Sequence, residues 1–238
     1  VKEELRFIAK HFADRSHLML TISDENFGII ERDEEIADYI LECSKTYSYP
    51  LSLFFYNDKK FLKTSRNIMA KVGHMVSNGL TFSLQTDSPD ALKAINRKNL
   101  SDDVLREGIS WAASINLQTT TELIFGLPEE TKESFVSALS TAVDRGFDAV
   151  MCHNLLVMDG TELSRKSYRE KHHVETMLRP LNANSGYLNG QFVVERDEVV
   201  SRSDSVGYND YLFIWGINLC ILYTAEAADE LELGGIVV

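Results

Sequence analysis

The stretch that decides the fold of this chain is Thr120-Thr121-Glu122-Leu123-Ile124-Phe125-Gly126-Leu127-Pro128-Glu129-Glu130-Thr131. It reads as a strand with an acid in its middle, followed by a Gly-Leu-Pro turn and the start of a helix. A similar unit, Thr81-Phe82-Ser83-Leu84-Gln85-Thr86-Asp87, stands earlier in the chain. Because ligands of parallel α/β sheets bind beyond the carboxyl ends of the strands, these units predict a barrel with a polar pocket at its strand ends.

The composition and net charge disfavour a nucleic-acid-binding or a membrane-spanning protein. The chain has 238 residues and a formal net charge of −12. Such a charge repels phosphate backbones, so we expect no general nucleic-acid binding. No apolar run reaches the roughly 18 residues that cross a bilayer, and no signal peptide is evident, so we expect no membrane span.

The three cysteines are Cys43, Cys152 and Cys220. Their wide separations match no zinc or iron–sulfur spacing, so no metal site is expected within this chain. Their odd number argues against a disulfide framework. A reducing compartment, the cytoplasm, is therefore expected.

The order of elements predicts an α/β fold. Apolar residues at helical spacing predict helices at 2–12, 33–45, 64–77, 88–95, 101–115 and 130–145. Apolar or alternating runs predict strands at 18–22, 51–56, 80–84, 119–125 and 149–157. Strands that alternate with helices imply a parallel sheet. Since the series opens on a helix, we expect a barrel whose first strand lies upstream.

The tail differs from the rest of the chain. Residues 179–205 are polar and turn-rich, with two short strands expected at 192–194 and 199–200, and 208–228 are expected to be helical. We therefore predict two regions: a partial barrel at 1–180 and a C-terminal extension at 181–238 that packs on it.

The strand at 80–84 presents a polar face. Alternation places Thr81, Ser83 and Gln85 on one side, and Gln85 and Thr86 then lie at the open rim of the pocket. A polar strand end that solvent simply hydrates is the alternative.

Glu122 is the second candidate, on one strand face with Ile124. A carboxylate within a buried strand is costly unless it is paired or hydrogen-bonded, and a polar pocket meets that need. A structural acid bonded to a neighbouring strand or to Arg97 is the alternative. Gly126, at the end of this strand, permits a strained turn or the close approach of a ligand.

Further polar residues follow other elements. Asp24, Glu25 and Asn26 come after the first strand of this chain and can hold an ammonium or hydroxyl group, or form a plain loop. Arg97 can bind a carboxylate in a bidentate manner or form a surface salt bridge. His153 is interpreted as a hydrogen-bonded barrel residue, and the acids at 129–130 as helix-capping residues.

These residues in this order resemble the radical S-adenosylmethionine family, and in particular the branch often found with a cobalamin-binding domain. The resemblance covers roughly residues 1–165, and the matched pieces are 24–27, 84–97, 122–131 and 160–161. It implies a partial (β/α)6 TIM-like barrel. It also implies S-adenosylmethionine and a [4Fe-4S] cluster as cofactors, with cobalamin as a further candidate. The implied reaction is reductive cleavage of S-adenosylmethionine to a 5′-deoxyadenosyl radical.

The resemblance implies roles for the strand-end residues. Asp24 and its neighbours Glu25 and Asn26 would approach the methionine amine. Gln85 and Thr86 would lie near the ribose or carboxylate, and Arg97 would pair with the methionine carboxylate.

The adenosine half of S-adenosylmethionine would contact the next two strands. Glu122, Ile124 and Gly126 resemble the motif that supports adenine and ribose. Asn154 opens the stretch that would offer backbone groups to adenine. The family's strand often begins with glycine where Glu122 stands here.

The family's Cys-x3-Cys-x2-Cys loop is absent from the chain. We therefore expect the cluster cysteines upstream of Val1, and a fragment that is inactive alone and retains no cofactor. A flavodoxin or ferredoxin would be the electron donor, and the substrate, a small molecule or peptide, is open. A cluster-less binding or scaffold domain and an ordinary acid–base barrel enzyme are the alternatives. The parent gene upstream of Val1 separates them.

Overall fold

A computed structural model describes residues 1–15 and 17–218, apart from the side chains of 182–184. The helices are α1 (Lys2–His11), α2 (Arg32–Tyr47), α3 (Lys63–Val72), α4 (Pro89–Ala94), α5 (Asp102–Ser114), α6 (Lys132–Asp144), α7 (Lys166–Lys171) and α8, described over 208–218. The strands are β1 (Leu20–Thr21), β2 (Leu53–Phe54), β3 (Leu80–Gln85), β4 (Thr119–Phe125), β5 (Ala149–Asn154), β6 (Glu175–Leu188) and β7 (Gln191–Arg202). Short 3-10 turns lie at Gly73–Met75 and Glu162–Ser164.

Local signals explain where the two helices between β3 and β4 begin. Ser101 caps α5, because its Oγ accepts a hydrogen bond from Val104 N at 3.4 Å. Ser88 caps α4 in the same way through Ala91 N at 3.3 Å, with Pro89 in the first turn. Within the described ranges, every helix is too short or too polar to cross a lipid bilayer.

The strands between the first helices pair in parallel. Leu20 lies opposite Leu53 where β1 pairs with β2. A second sheet has the order β3-β4-β5. In it, Leu80 N donates a hydrogen bond to Gln118 O, and the Thr121 hydroxyl donates one to Phe82 O. The residue numbers of the bonded partners therefore increase together along β3 and β4. That advance is the signature of parallel pairing, and the predicted α/β class is confirmed.

The chain divides into two compact units. Unit 1 contains Val1–Ser83, Leu100–Thr121 and Arg145–Ala149, and unit 2 contains Leu84–Asn99, Glu122–Asp144 and Val150–Val238. The strands β3 and β4 therefore begin in unit 1 and end in unit 2. The assignment of 1–180 and 181–238 as barrel and extension stays a prediction.

Each unit has its own apolar core. In unit 1 the ring of Phe82 in β3 lies 5.4 Å from that of Phe61 and 5.8 Å from that of Phe147, measured between centroids. In unit 2 the rings of Phe125 in β4 and Phe135 in α6 are 5.1 Å apart. Because these aromatic side chains hold β3 and β4 in place, the polar strand ends are built on packed elements.

The tail is a long antiparallel hairpin, not the pair of short strands expected from its polarity. β6 and β7 join at Asn189 and Gly190, whose φ angles are +51° and +80°. Two positive φ angles in a two-residue loop characterise the type I′ turn, for which Asn-Gly is the preferred pair. That dipeptide was the sequence signal for the hairpin. Of the helix expected at 208–228, residues 208–218 are helical, and the remainder lies outside the described residues.

Candidate functional site

The end of β3 has an unusual backbone. Gln85 has a φ of +68°, in the left-handed region that residues other than glycine rarely adopt. Such a conformation persists only where surrounding contacts hold it, and it concentrates at ligand sites. Gln85 is the last residue of β3 and is half-buried, and its role in a ligand site stays a prediction.

Thr86, the next residue, differs from the expectation that it would lie at an open rim. It is fully buried, at 0% exposure. Its hydroxyl oxygen accepts a hydrogen bond from Ser88 N at 3.0 Å, and Asn99 Nδ2 donates to its carbonyl at 2.7 Å. These hydrogen bonds stabilise the turn after β3, so Thr86 has a structural role at the strand end.

Glu130 is a residue whose position the sequence interpretation missed. The sequence predicts a helix-capping acid at this position, yet Glu130 is fully buried. Ser134 Oγ donates to Glu130 Oε1 at 2.6 Å, and the Thr86 hydroxyl is a second hydrogen-bond partner. Glu130 Oε2 is buried without a hydrogen-bond partner. The acid therefore ties the turn after β4 to the end of β3.

A sequence signal for this role was present. Thr131 and Ser134 cap α6 by themselves: Ser134 N donates to Thr131 Oγ1 at 3.1 Å, and Thr131 N donates to Ser134 Oγ at 2.9 Å. This reciprocal arrangement resembles a capping box. Because two hydroxyl residues already perform the capping, Glu130 is not needed for it.

A charged cluster lies on the face of β4 that was predicted to be polar. Glu122 Oε1 is 3.8 Å from His153 Nε2 on β5, an ion pair when the imidazole is protonated. Burial lowers the pKa of the Arg97 guanidinium, and the negative charge of Glu122 opposes that shift. The structure thus places Arg97 within electrostatic reach of Glu122, in line with the alternative that the sequence left open.

A cavity of about 410 Å³ opens beside this cluster, within the range of about 300–1,000 Å³ typical of small-molecule sites. Two predicted site residues, Ile124 and Asn154, line it. The other lining side chains are mostly apolar and come from β5, the segment after it, β6 and α8. Gly126 lies outside this lining, buried at a φ of +96°.

Asp24, Glu25 and Asn26 belong to unit 1, whereas the other predicted site residues belong to unit 2. Asn26 N donates to Asp24 Oδ1 at 2.9 Å, which closes a short turn after β1. Asp24 and Glu25 are exposed, and Asn26 is half-buried. Their assignment to the methionine amine stays a prediction.

The side chains that the structure describes do not fit an iron–sulfur cluster. Across the described ranges, no group of three or more His, Cys, Asp or Glu side chains is placed to hold a metal ion. Cys43 is buried in unit 1, and Cys152 lines the cavity of unit 2. The two thiols therefore lie in separate units and do not form a ligand set for a cluster.

We predict that Cys152 reacts slowly with alkylating reagents. Burial raises its pKa from 9.0 to about 11, and the thiolate is the nucleophile. At pH 8 its alkylation by iodoacetamide should be about 100-fold slower than that of an unperturbed cysteine, a factor of ten for each pKa unit. Mass spectrometry of a Cys43→Ser, Cys220→Ser variant measures this rate. In urea the same thiol should react at the ordinary rate, and equal rates in both states would contradict the prediction.

Comparison with known proteins was made by sequence and by structure. No family model matches the chain. The cobalamin-dependent radical SAM methyltransferase TokK of Streptomyces tokunonensis is 33% identical over 151 residues, covering 61% of this chain and 21% of TokK. The 2-(S-pantetheinyl)-carbapenam-3-carboxylate methyltransferase of Streptantibioticus cattleyicolor is 31% identical over 151 residues, with the same coverage. The chain thus spans about a fifth of the length of the curated relatives it matches.

Among solved structures, N-terminally truncated Elp3 of the archaeon Methanocaldococcus infernus superposes with a TM-score of 0.52 at 18% sequence identity. The match covers 70% of this chain and 44% of Elp3. At this identity, the likeness concerns the fold alone.

Proposed function

We propose that this chain, a homologue of cobalamin-dependent radical S-adenosylmethionine methyltransferases, is a part of such an enzyme that binds S-adenosylmethionine. The observation that carries the proposal is its similarity to two such methyltransferases over 151 residues, at 33% and 31% identity. In this proposal the fold is an incomplete (β/α)6 barrel. The reaction would be reductive cleavage of S-adenosylmethionine coupled to methyl transfer.

The proposed contacts follow from the chemistry of the ligand. S-adenosylmethionine has a carboxylate, an ammonium group, two ribose hydroxyls and an adenine ring. Arg97 would bind the carboxylate with its planar guanidinium. Glu122 would accept hydrogen bonds from the ammonium or ribose groups, and the Gln85 amide can donate and accept. Ile124 and Asn154 would contact the adenosine half.

Opposite charges that act on each other support such a site. Arg97 and Glu122 are both half-buried, and each charge lowers the cost of burying the other. A ligand with both a carboxylate and an ammonium group can exchange partners with such a pair without leaving a net buried charge. The paired cluster thereby fits a zwitterionic amino acid moiety better than a simple anion.

Groups beyond this chain complete the proposal. An iron–sulfur cluster, when bound, supplies the electron that cleaves S-adenosylmethionine. Since no set of side chains among the described residues fits it, we propose that its cysteines lie on another segment of the enzyme. Cobalamin, a flavodoxin or ferredoxin as the electron donor, and the methyl-accepting substrate are proposed on the same basis.

The test is binding of S-adenosylhomocysteine, measured by isothermal titration calorimetry. Arg97→Met and Glu122→Gln are each expected to weaken binding by about tenfold to a hundredfold, since a charge-assisted hydrogen bond contributes about 1.5–3 kcal/mol. The measurement compares dissociation constants of the parent protein and each variant at one ionic strength.

A matched control is available in unit 1. Arg66 Nη1 and Glu107 Oε1 form another Arg–Glu pair, at 2.8 Å. Arg66→Met and Glu107→Gln should leave the dissociation constant within about twofold, as expected for a pair without a ligand role. The proposed function fails if the parent protein binds no S-adenosylhomocysteine, or if the control variants weaken binding as much as the site variants.

A further inference from the structure

The cavity of unit 2 has a chemical character that the nucleotide proposal does not use. Apart from Ile124 and Asn154, which the proposed function assigns to the adenosine half, its apolar lining is formed by Leu155, Leu156 and Met158 from the segment after β5. Its remaining side includes Arg179 from β6 and Trp215 from α8. Both lie C-terminal to the region of family resemblance. These polar and aromatic groups therefore indicate the chemistry of a second ligand of the cavity.

Arg179 is held in a defined orientation. It lies directly opposite Asp197 in the β6–β7 register, and Asp197 Oδ2 accepts a hydrogen bond from Arg179 Nη2 at 3.1 Å. A cross-strand pair of this kind restricts the rotamers of the arginine. A guanidinium carries five N–H donors, so it can bind a second carboxylate while Asp197 orients it.

The other two groups suit a flat molecule with a hydrogen-bond donor. The Trp215 side chain lines the cavity and is 46% exposed, although its neighbour Ile214 is fully buried. An exposed indole at a cavity offers a planar apolar surface for stacking. Asn218 Oδ1, also at the cavity, is buried and has no hydrogen-bond partner among residues 1–15 and 17–218, and a ligand N–H or O–H would satisfy it.

We propose that this cavity binds the acceptor substrate of the enzyme, and that this substrate combines a flat, largely apolar body with a carboxylate. Arg179 would bind the carboxylate and Trp215 would stack on the body, so these two residues determine specificity. The inference that the bound carboxylate is a substrate rests on the proposed function, but the carboxylate site itself can be tested separately. The net charge of −12 disfavours anions elsewhere on the chain, which makes an ordered guanidinium at a cavity more selective.

The experiment compares 2-naphthoate with its neutral amide, 2-naphthamide, as probes in saturation-transfer-difference NMR titrations. The parent protein should bind the carboxylate about tenfold more tightly than the amide. Arg179→Met should abolish this preference. Trp215→Leu should weaken both probes to a similar extent. Neither variant should change the dissociation constant of S-adenosylhomocysteine.

Two further variants separate recognition from structural damage. Arg145 forms an Arg–Asp pair with Asp102 at 2.8 Å in unit 1, and Arg145→Met should leave the preference for the carboxylate unchanged. Arg179→Lys keeps the charge but not the planar guanidinium, and it should retain part of the preference. If Arg179→Met fails to fold, Arg179→Lys and Trp215→Leu still test whether the two residues recognise the probes.

Each remaining outcome is informative. Equal affinity of the parent protein for both probes, or a preference that survives Arg179→Met, overturns the inference. Displacement of 2-naphthoate by S-adenosylhomocysteine also overturns it, since the cavity then belongs to the nucleoside. If the nucleoside binds and 2-naphthoate does not, the inference fails and the proposed function stands. If the carboxylate preference holds without nucleoside binding, the proposed function fails and the carboxylate site stands.

Discussion

Glu130→Ala is expected to lower the free energy of unfolding by about 3 kcal/mol. The change removes the hydrogen bonds that the Ser134 and Thr86 hydroxyls make to this carboxyl group, and a hydrogen bond to a charged group contributes about 1.5–3 kcal/mol. It also leaves a cavity beneath the turn after β4, because Glu130 is fully buried. Urea denaturation followed by circular dichroism measures the loss.

The matched control is Glu133→Ala in the first turn of α6. Glu133 is exposed, and its ion pair with Lys132 has an N–O distance of 3.4 Å. We expect its free energy of unfolding to stay within about 0.5 kcal/mol of the parent, as for most surface substitutions. Equal losses in the two variants would show that Glu130 has no special structural role.

The same residue predicts a dependence of stability on pH. Burial raises the pKa of the Glu130 carboxyl above its ordinary 4.5, the Ser134 and Thr86 hydrogen bonds oppose the shift, and the charge of Asp87 adds to it. A raised folded-state pKa favours the folded protein below the unfolded pKa, and that contribution is lost as the pH rises through the folded value. Glu130→Gln removes the titration. Its stability relative to the parent should therefore increase from pH 5 to pH 8, and a constant difference would contradict the assignment.

Gly108→Val is expected to destabilise the protein by about 3 kcal/mol, through overpacking in the core of unit 1. A Cβ at this position in α5 would lie 2.6 Å from Phe82 Cζ and 3.1 Å from Phe61 Cε1. The Phe82 ring has little room to move, since it also packs on Phe147 and is only 4% exposed. Thermal and urea unfolding measure the effect.

The displaced ring should also affect binding. Phe82 and Gln85 belong to one strand, so a shift of β3 changes the strand end, and we expect weaker binding of S-adenosylhomocysteine. Ala113→Val, at an exposed position of the same helix, is the control. It should cost no more than about 0.7 kcal/mol, the range of ordinary helix propensities. A Gly108→Val variant as stable as this control would refute the packing argument.

The elements with strong local signals were predictable. β4 is Thr119–Phe125, the bounds that alternation predicted, and α5 begins after Ser101 as its capping side chain indicated. Glu122 and Ile124 are half-buried whereas Leu123 and Phe125 are buried, so the two faces of β4 were also correct. The hairpin of β6 and β7 was missed because its polar residues masked the Asn-Gly turn.

The site was less predictable than the elements around it. Sequence alone did not decide whether Glu122 lies unpaired in a pocket or beside Arg97, because the two residues are on different elements. It placed Thr86 at an open rim, whereas contacts with Ser88, Asn99 and Glu130 bury it. Such burial depends on residues distant in the chain, which local patterns do not reveal.

The order of helices and strands in this protein, and the polar character of its strand ends, were determined by the sequence itself, since periodicity and capping act between residues a few positions apart. The tertiary structure alone decided the electrostatic interaction of Arg97 with Glu122, the burial of Glu130 and the placement of Arg179 and Trp215 at one cavity. These features arise from packing between elements, where the cost of burying a charge depends on which partners the fold brings to it.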